Sequence, residues 1–162
     1  TGGRTQEISR LIGRSLRAAV DLKALGERQI QIDCDVLQAD GGTRTAAITG
    51  GFVALALGLR FLQKAGQLAT LPLKNYVSAI SVGLTPDGVL LDLDYEEDFA
   101  CGADVNFVMT DSHQWVEVQG TSEGQNFTTE QLLSMMKMAE DGCMELFKEQ
   151  QKYVGEFFAL KA

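Results

Sequence analysis

Ile8, Leu11, Ile12, Leu16, Val20 and Leu22 recur mostly at intervals of three and four, which predicts a helix over 5–25. Arg10, Arg14, Arg17 and Lys23 take intervening polar positions, and Gly26 ends the segment. The period then drops to two. Gln29-Ile30-Gln31-Ile32-Asp33-Cys34-Asp35-Val36 alternates strictly, predicting a half-buried strand with Cys34 on its core face. A turn at Ala39-Asp40-Gly41-Gly42 opens into a second helix over 43–65, rich in Ala, Leu and Gly. Its weak polar face predicts packing on more than one side, against a sheet and a subunit neighbour.

Strands follow over 77–84 and 89–93, joined by the turn Thr85-Pro86-Asp87-Gly88. Two more, over 105–110 and 115–119, flank a polar hairpin loop from Asp111 to His113. Thr128 and Gln131 fit a capping box and Phe127 with Leu132 a hydrophobic staple, so a last helix starts there and runs to about 154. Leu132, Leu133, Met136, Ala139, Cys143, Leu146 and Phe147 form its expected apolar stripe, the methionines as core filling. Helix, strand, helix, four strands and helix describe an α+β fold with a sheet covered by helices on at least one face, as one domain over 1–162.

Composition narrows the function classes. Hydrophobic residues at 45% and charged residues at 22% give a chain able to bury a core. The longest apolar stretch, 46–62, is interrupted by Thr49, Gly50, Gly51, Gly58 and Arg60, so no membrane span is expected. Cys34, Cys101 and Cys143 lack CxxC spacing, which argues against a disulfide framework or zinc site and for a reducing, cytoplasmic setting. The net charge of −8 excludes a protein that grips a nucleic-acid backbone with its whole surface. RNA binding would need a local basic patch or basic surface from another chain.

Three constellations carry candidate chemistry. Asp40-Gly41-Gly42-Thr43-Arg44-Thr45 is a glycine turn opening into a helix, a place where free N–H groups, a hydroxyl and a guanidinium suit an anion. The alternative is a plain connection capped by Thr43 or Asp40. It is not a Walker loop, whose spacing is absent. Asp92-Leu93-Asp94-Tyr95-Glu96-Glu97-Asp98, followed by Asp104, concentrates carboxylates at a strand end, with Asp92, Asp94 and Glu96 on one strand face. Such density calls for Mg²⁺ or Mn²⁺, or else marks a solvated acidic loop. Arg10, Arg14 and Arg17 form one helical stripe, and with Arg4 a basic cluster, either solvated or facing RNA or an interface. His113 is the only histidine and has no nucleophile motif beside it, which argues against a serine or cysteine triad. Trp115 and Tyr95 are expected to pack rather than stack on bases.

Taken in order, the chain resembles the RNase PH family. The matching stretches are Gly3-Arg4-Thr5-Gln6-Glu7-Ile8, Arg10 to Arg14, Ile32 to Thr45, Ala79-Ile80-Ser81-Val82-Gly83, Asp92 to Asp98, and Val116-Glu117-Val118-Gln119-Gly120-Thr121. The resemblance implies an RNase PH-like fold with a mixed β-sheet packed with helices, its N-terminal strands missing from this chain. It implies a phosphate-dependent 3′-to-5′ exoribonuclease trimming tRNA precursors in the presence of Mg²⁺, with inorganic phosphate as co-substrate. The family's phosphate-binding residues fall on Arg4, Gly42, Thr43 and Arg44, and its two active-site aspartates, which would hold metal or act as acid, on Asp98 and Asp104. The implied assembly is a homo-oligomer, a hexameric ring of dimers. Phe99-Ala100-Cys101-Gly102-Ala103 departs from the family, which has small residues and a glutamate there. Two rival readings are a truncated, inactive family member that binds phosphate or serves a structural role, and an acidic metal-binding module unrelated to RNA.

Overall fold

The computed structural model describes residues 2–161. Thr1 and Ala162, the ends of the 1–162 domain predicted above, lie outside the described residues. Nine elements follow in order: α1 (Gly3–Arg17), α2 (Leu22–Leu25), α3 (Thr43–Lys64), β1 (Val77–Thr85), β2 (Gly88–Leu91), α4 (Tyr95–Ala100), β3 (Ala103–Thr110), β4 (Trp115–Ser122) and α5 (Thr129–Val154).

The helix predicted over 5–25 is two. α1 ends at Arg17, and Val20 leaves the helix to bridge Leu73. Asp21 then caps α2 by accepting the Lys23 and Ala24 N–H groups. Leu11, Leu16 and Val20 of the predicted stripe are buried, whereas Leu22, beyond the break, is exposed.

The sheet has the order β2-β1-β3-β4, and its pairings are all antiparallel, not mixed. β2 reaches only Val82–Thr85 of β1. Beyond that point α3 takes over, and Thr49 Oγ1 both donates to the Ala79 carbonyl and accepts from its N–H. A buried strand edge is thereby satisfied by a helix side chain. Gln150 of α5 adds a three-way tie, donating through Nε2 to Thr49 O and Val77 O at 2.9 Å each.

α3 is long and apolar enough to cross a membrane by length and composition, contrary to the expectation from its interruptions. Here it packs against α1, β1 and α5, with Ile48, Phe52, Ala56 and Leu59 fully buried. Its apolar character therefore serves a multi-sided core position. Phe52, Tyr76, Phe147 and Phe158 form the aromatic centre. α5 begins as predicted, with Thr128 and Gln131 closing a capping box at 2.8 and 3.2 Å. Its buried stripe runs through Met135, Ala139, Cys143 and Phe147, while Leu133 stays exposed.

The strand predicted over 29–36 forms no ladder. Ile30 and Ile32 are half-buried, but no described strand lies beside the segment, and Cys34 and Val36 are exposed rather than in the core. Grooves of about 650 and 510 Å³ flank it, the first against α1 and the second against α3.

Candidate active site

The glycine turn and the acidic segment are distant in sequence and joined in space. A Cβ on Gly41 would fall on the Leu93 carbonyl oxygen and 2.9 Å from that of Asp94, so only glycine permits this approach. Asp40 reinforces it: its Oδ1 accepts the N–H of Gly41 at 2.9 Å and of Tyr95 at 2.7 Å. Gly42 then adopts φ 68° and ψ 23°, the left-handed region that glycine tolerates, and turns the chain into α3.

Asp40 accepts the N–H of Tyr95 at the start of α4 rather than capping α3, and Thr43 makes no side-chain cap either. The first N–H groups of a 22-residue helix are left without a side-chain partner, beside Thr43 and Arg44. Ser81 lies beneath them. Its Oγ is buried and unpaired among the described residues, 3.4 Å from where a Cβ on Gly42 would stand.

Arg44 is aimed by α1. Its Nη1 lies 3.3 Å from Glu7 Oε1, and Gln119 Nε2 of β4 donates to the same oxygen at 3.1 Å. Arg4, exposed, stands one helical turn before Glu7 on the same side of α1. α3 and β4 thus meet α1 at one carboxylate oxygen, that of Glu7. Glu7 was not singled out in the sequence, because nothing in the periodicity of α1 marks it.

The acidic segment folds differently from expectation. β2 stops at Leu91, Asp92 takes φ 56°, and the chain enters α4. Asp92, Asp94 and Glu96 therefore do not share a strand face. Asp94 and Glu97 are spent on a capping box, at 2.8 and 3.1 Å. That leaves Asp98, exposed on α4, and Asp104 on β3, opposite Gly83 of β1 and Thr121 of β4. Burial raises the Asp104 carboxyl above its ordinary range, the Asp98 and Glu123 carboxylates raise it further, and Arg44 pulls the other way. One carboxylate therefore feels both the other aspartate and Arg44 of the glycine turn. Burial likewise raises the Cys101 thiol between them, with Asp104 and Asp98 adding to it.

Among the described residues, no three carboxylate, thiol or imidazole groups gather to enclose a metal. Two carboxylates suit Mg²⁺, which keeps several waters and takes its remaining ligands from phosphate oxygens.

The arginine stripe divides. Arg14 Nη1 meets Glu117 Oε2 of β4 at 2.8 Å, Arg17 folds toward Gly13 and the groove beside residues 29–36, and Arg10 is exposed. His113 pairs with Glu140 at 2.9 Å, at the hairpin between β3 and β4. Trp115 packs on Phe107 as expected, whereas Tyr95 is exposed.

Comparison with known proteins gives the family and the fold. Residues 1–58 match the 3′ exoribonuclease family, domain 1, and residues 75–142 match the 3′ exoribonuclease family, domain 2. Ribonuclease PH of Bdellovibrio bacteriovorus is 67% identical over 160 residues, covering 99% of this chain and 66% of the relative. Ribonuclease PH of Moorella thermoacetica is 58% identical over 154 residues, covering 95% of this chain and 62% of the relative. The chain thus spans just under two thirds of the length of these curated relatives. The fold matches rice Rrp46 with a TM-score of 0.70 at 18% identity, covering 96% of this chain and 68% of that one. It matches an Archaeoglobus fulgidus exosome with RNA bound to the active site with a TM-score of 0.69 at 17% identity, covering 91% and 62%. With both parts of the family matched in order and curated relatives this similar, the chain belongs to the RNase PH family of 3′ exoribonucleases.

Proposed function

We propose that the chain carries the phosphorolytic site of a 3′-to-5′ exoribonuclease that trims tRNA precursors. The observation that supports this most is the coupling of an uncapped helix N-terminus with Arg44 to the Asp98–Asp104 pair. An attacking phosphate needs N–H donors and a fixed cation on one side, and the scissile phosphodiester needs charge compensation on the other.

In this reading Gly42, Thr43, Arg44 and Arg4 hold inorganic phosphate. A phosphate oxygen attacks the phosphorus of the terminal phosphodiester, a new P–O bond forms, and the bond to the 3′-oxygen of the preceding nucleotide breaks. That oxygen takes the electron pair and a proton, leaving RNA one residue shorter and a nucleoside 5′-diphosphate. Asp98 and Asp104 would hold Mg²⁺, whose chemistry when bound is to offset charge on the reacting phosphates. One of the two would also protonate the leaving oxygen. Arg10, Arg14 and Arg17 contribute an RNA-facing or subunit-facing strip, the working form is a ring of dimers, and the setting is cytoplasmic.

Calorimetric titration with inorganic phosphate tests the site. Wild type binds saturably and Arg44→Ala loses the affinity by at least tenfold. Asp98→Asn folds normally, since Asp98 is exposed, but abolishes nucleoside diphosphate release. Phosphate binding without release by wild type would favour the inactive, phosphate-binding member instead, and equal phosphate binding by Arg44→Ala would remove the proposed site.

A further inference from the structure

The rings of Tyr95 and Phe99 are 66% and 86% exposed, and neither joins the aromatic pairs of the core. They are four apart on α4, and Asp98 is three from Tyr95, so both rings and that carboxylate lie on one side of the helix. The helix is fixed, its start tied to the glycine turn by Asp40 and its cap closed by Asp94 and Glu97. Two large rings therefore stand in water at a set place on the helix that carries Asp98.

Their surroundings decide what they fit. Asp92, Asp94, Glu96, Asp98, Asp104 and Glu123 make this wall acidic, and it repels a phosphodiester backbone wherever Mg²⁺ does not offset the charge. A nucleotide can be held against such a wall through its base, because stacking on an aromatic ring needs no charge and accepts any base. We infer that Tyr95 and Phe99 form the stacking surface for the terminal bases of the RNA strand and position its last phosphodiester over Asp98 and Asp104. This rests on the phosphorolytic reading of the site.

The test uses a short oligoribonucleotide ending in 2-aminopurine, in Mg²⁺ and phosphate-free buffer so that no turnover occurs. Wild type quenches the fluorescence on binding. Phe99→Ala binds about five- to tenfold more weakly with the quenching reduced, Phe99→Trp restores both, and inorganic phosphate affinity stays unchanged throughout. Wild-type quenching retained in Phe99→Ala overturns the inference. So does release of nucleoside diphosphates by a wild type that shows no quenching, a result that leaves the phosphorolytic reading standing. Absence of both quenching and release removes both proposals. If Phe99→Ala keeps RNA affinity but changes the sedimentation coefficient from an oligomer to a monomer, the rings face a second copy of the chain and the inference is wrong.

Discussion

One carboxylate oxygen of Asp40 receives the N–H of Tyr95 at 2.7 Å and of Gly41 at 2.9 Å, so a single side chain joins the glycine turn to the acidic helix. Removing it in Asp40→Ala is expected to cost about 1 kcal/mol of stability, the usual worth of such a cap. Phosphate affinity should fall several-fold as the two halves of the site loosen. Urea unfolding and phosphate titration of the same variant check this, and Asp40→Asn, which keeps an acceptor oxygen, should lie between the two.

Gly41 and Gly50 should respond to alanine in opposite directions. At Gly41 the new methyl falls on backbone carbonyls of Leu93 and Asp94, and the loop must move, at a cost of about 1–3 kcal/mol. Gly50 sits inside α3 with open space around it, so Gly50→Ala should gain about 0.5–1 kcal/mol of helix stability. Thermal unfolding of the pair gives the comparison directly.

Asp104 should show in the pH dependence of stability, measured without divalent metal. Its carboxyl is raised in the folded chain above the ordinary value of 3.8, chiefly by burial, so the native state binds more protons than the unfolded state as pH rises past that value. Stability is therefore lost between the ordinary and the raised value and stays lower above it. Asp104→Asn should unfold at higher temperature at neutral pH, with the gain vanishing once pH falls below the ordinary value. Solvent screening limits it to under about 1 kcal/mol, or about 2–4 °C.

Asp111 provides a check far from the site. It is buried and accepts the Tyr76 N–H and the Lys161 N–H at 3.0 Å each, tying the C-terminal segment to the start of β1. Asp111→Ala leaves both donors unpaired and should cost about 1–3 kcal/mol. Hydrogen exchange at Lys161 should accelerate, with phosphate binding unchanged.

Elements with strong local signals were legible in the sequence. The box of Thr128 and Gln131 started α5 where expected, and the hairpin turns of the sheet fell between the predicted strands. Failures came where a partner decides the outcome. The alternation of 29–36 states which side would be buried, but a strand exists only beside another strand, and none is described there; its amides should exchange faster than those of β1 and β3. The acidic run read as a strand end because its charges were weighed as ligands. In the fold Asp94 and Glu97 cap α4, a short helix that a glycine-free run of acidic residues gave no periodicity to reveal. The anion turn and the two aspartates were visible as motifs. Their joining through Asp40 and Gly41, and the pairing of Arg44 with Glu7, depended on contacts that only the folded chain displays.

The chemistry itself is tested most directly by the fate of radiolabelled inorganic phosphate incubated with the chain, Mg²⁺ and a 3′-extended tRNA. The account predicts label in the terminal phosphoryl group of released nucleoside diphosphates, lost in Arg44→Ala and in Asp98→Asn. Unlabelled nucleoside monophosphates released at the same rate without phosphate would show hydrolysis, and would contradict it.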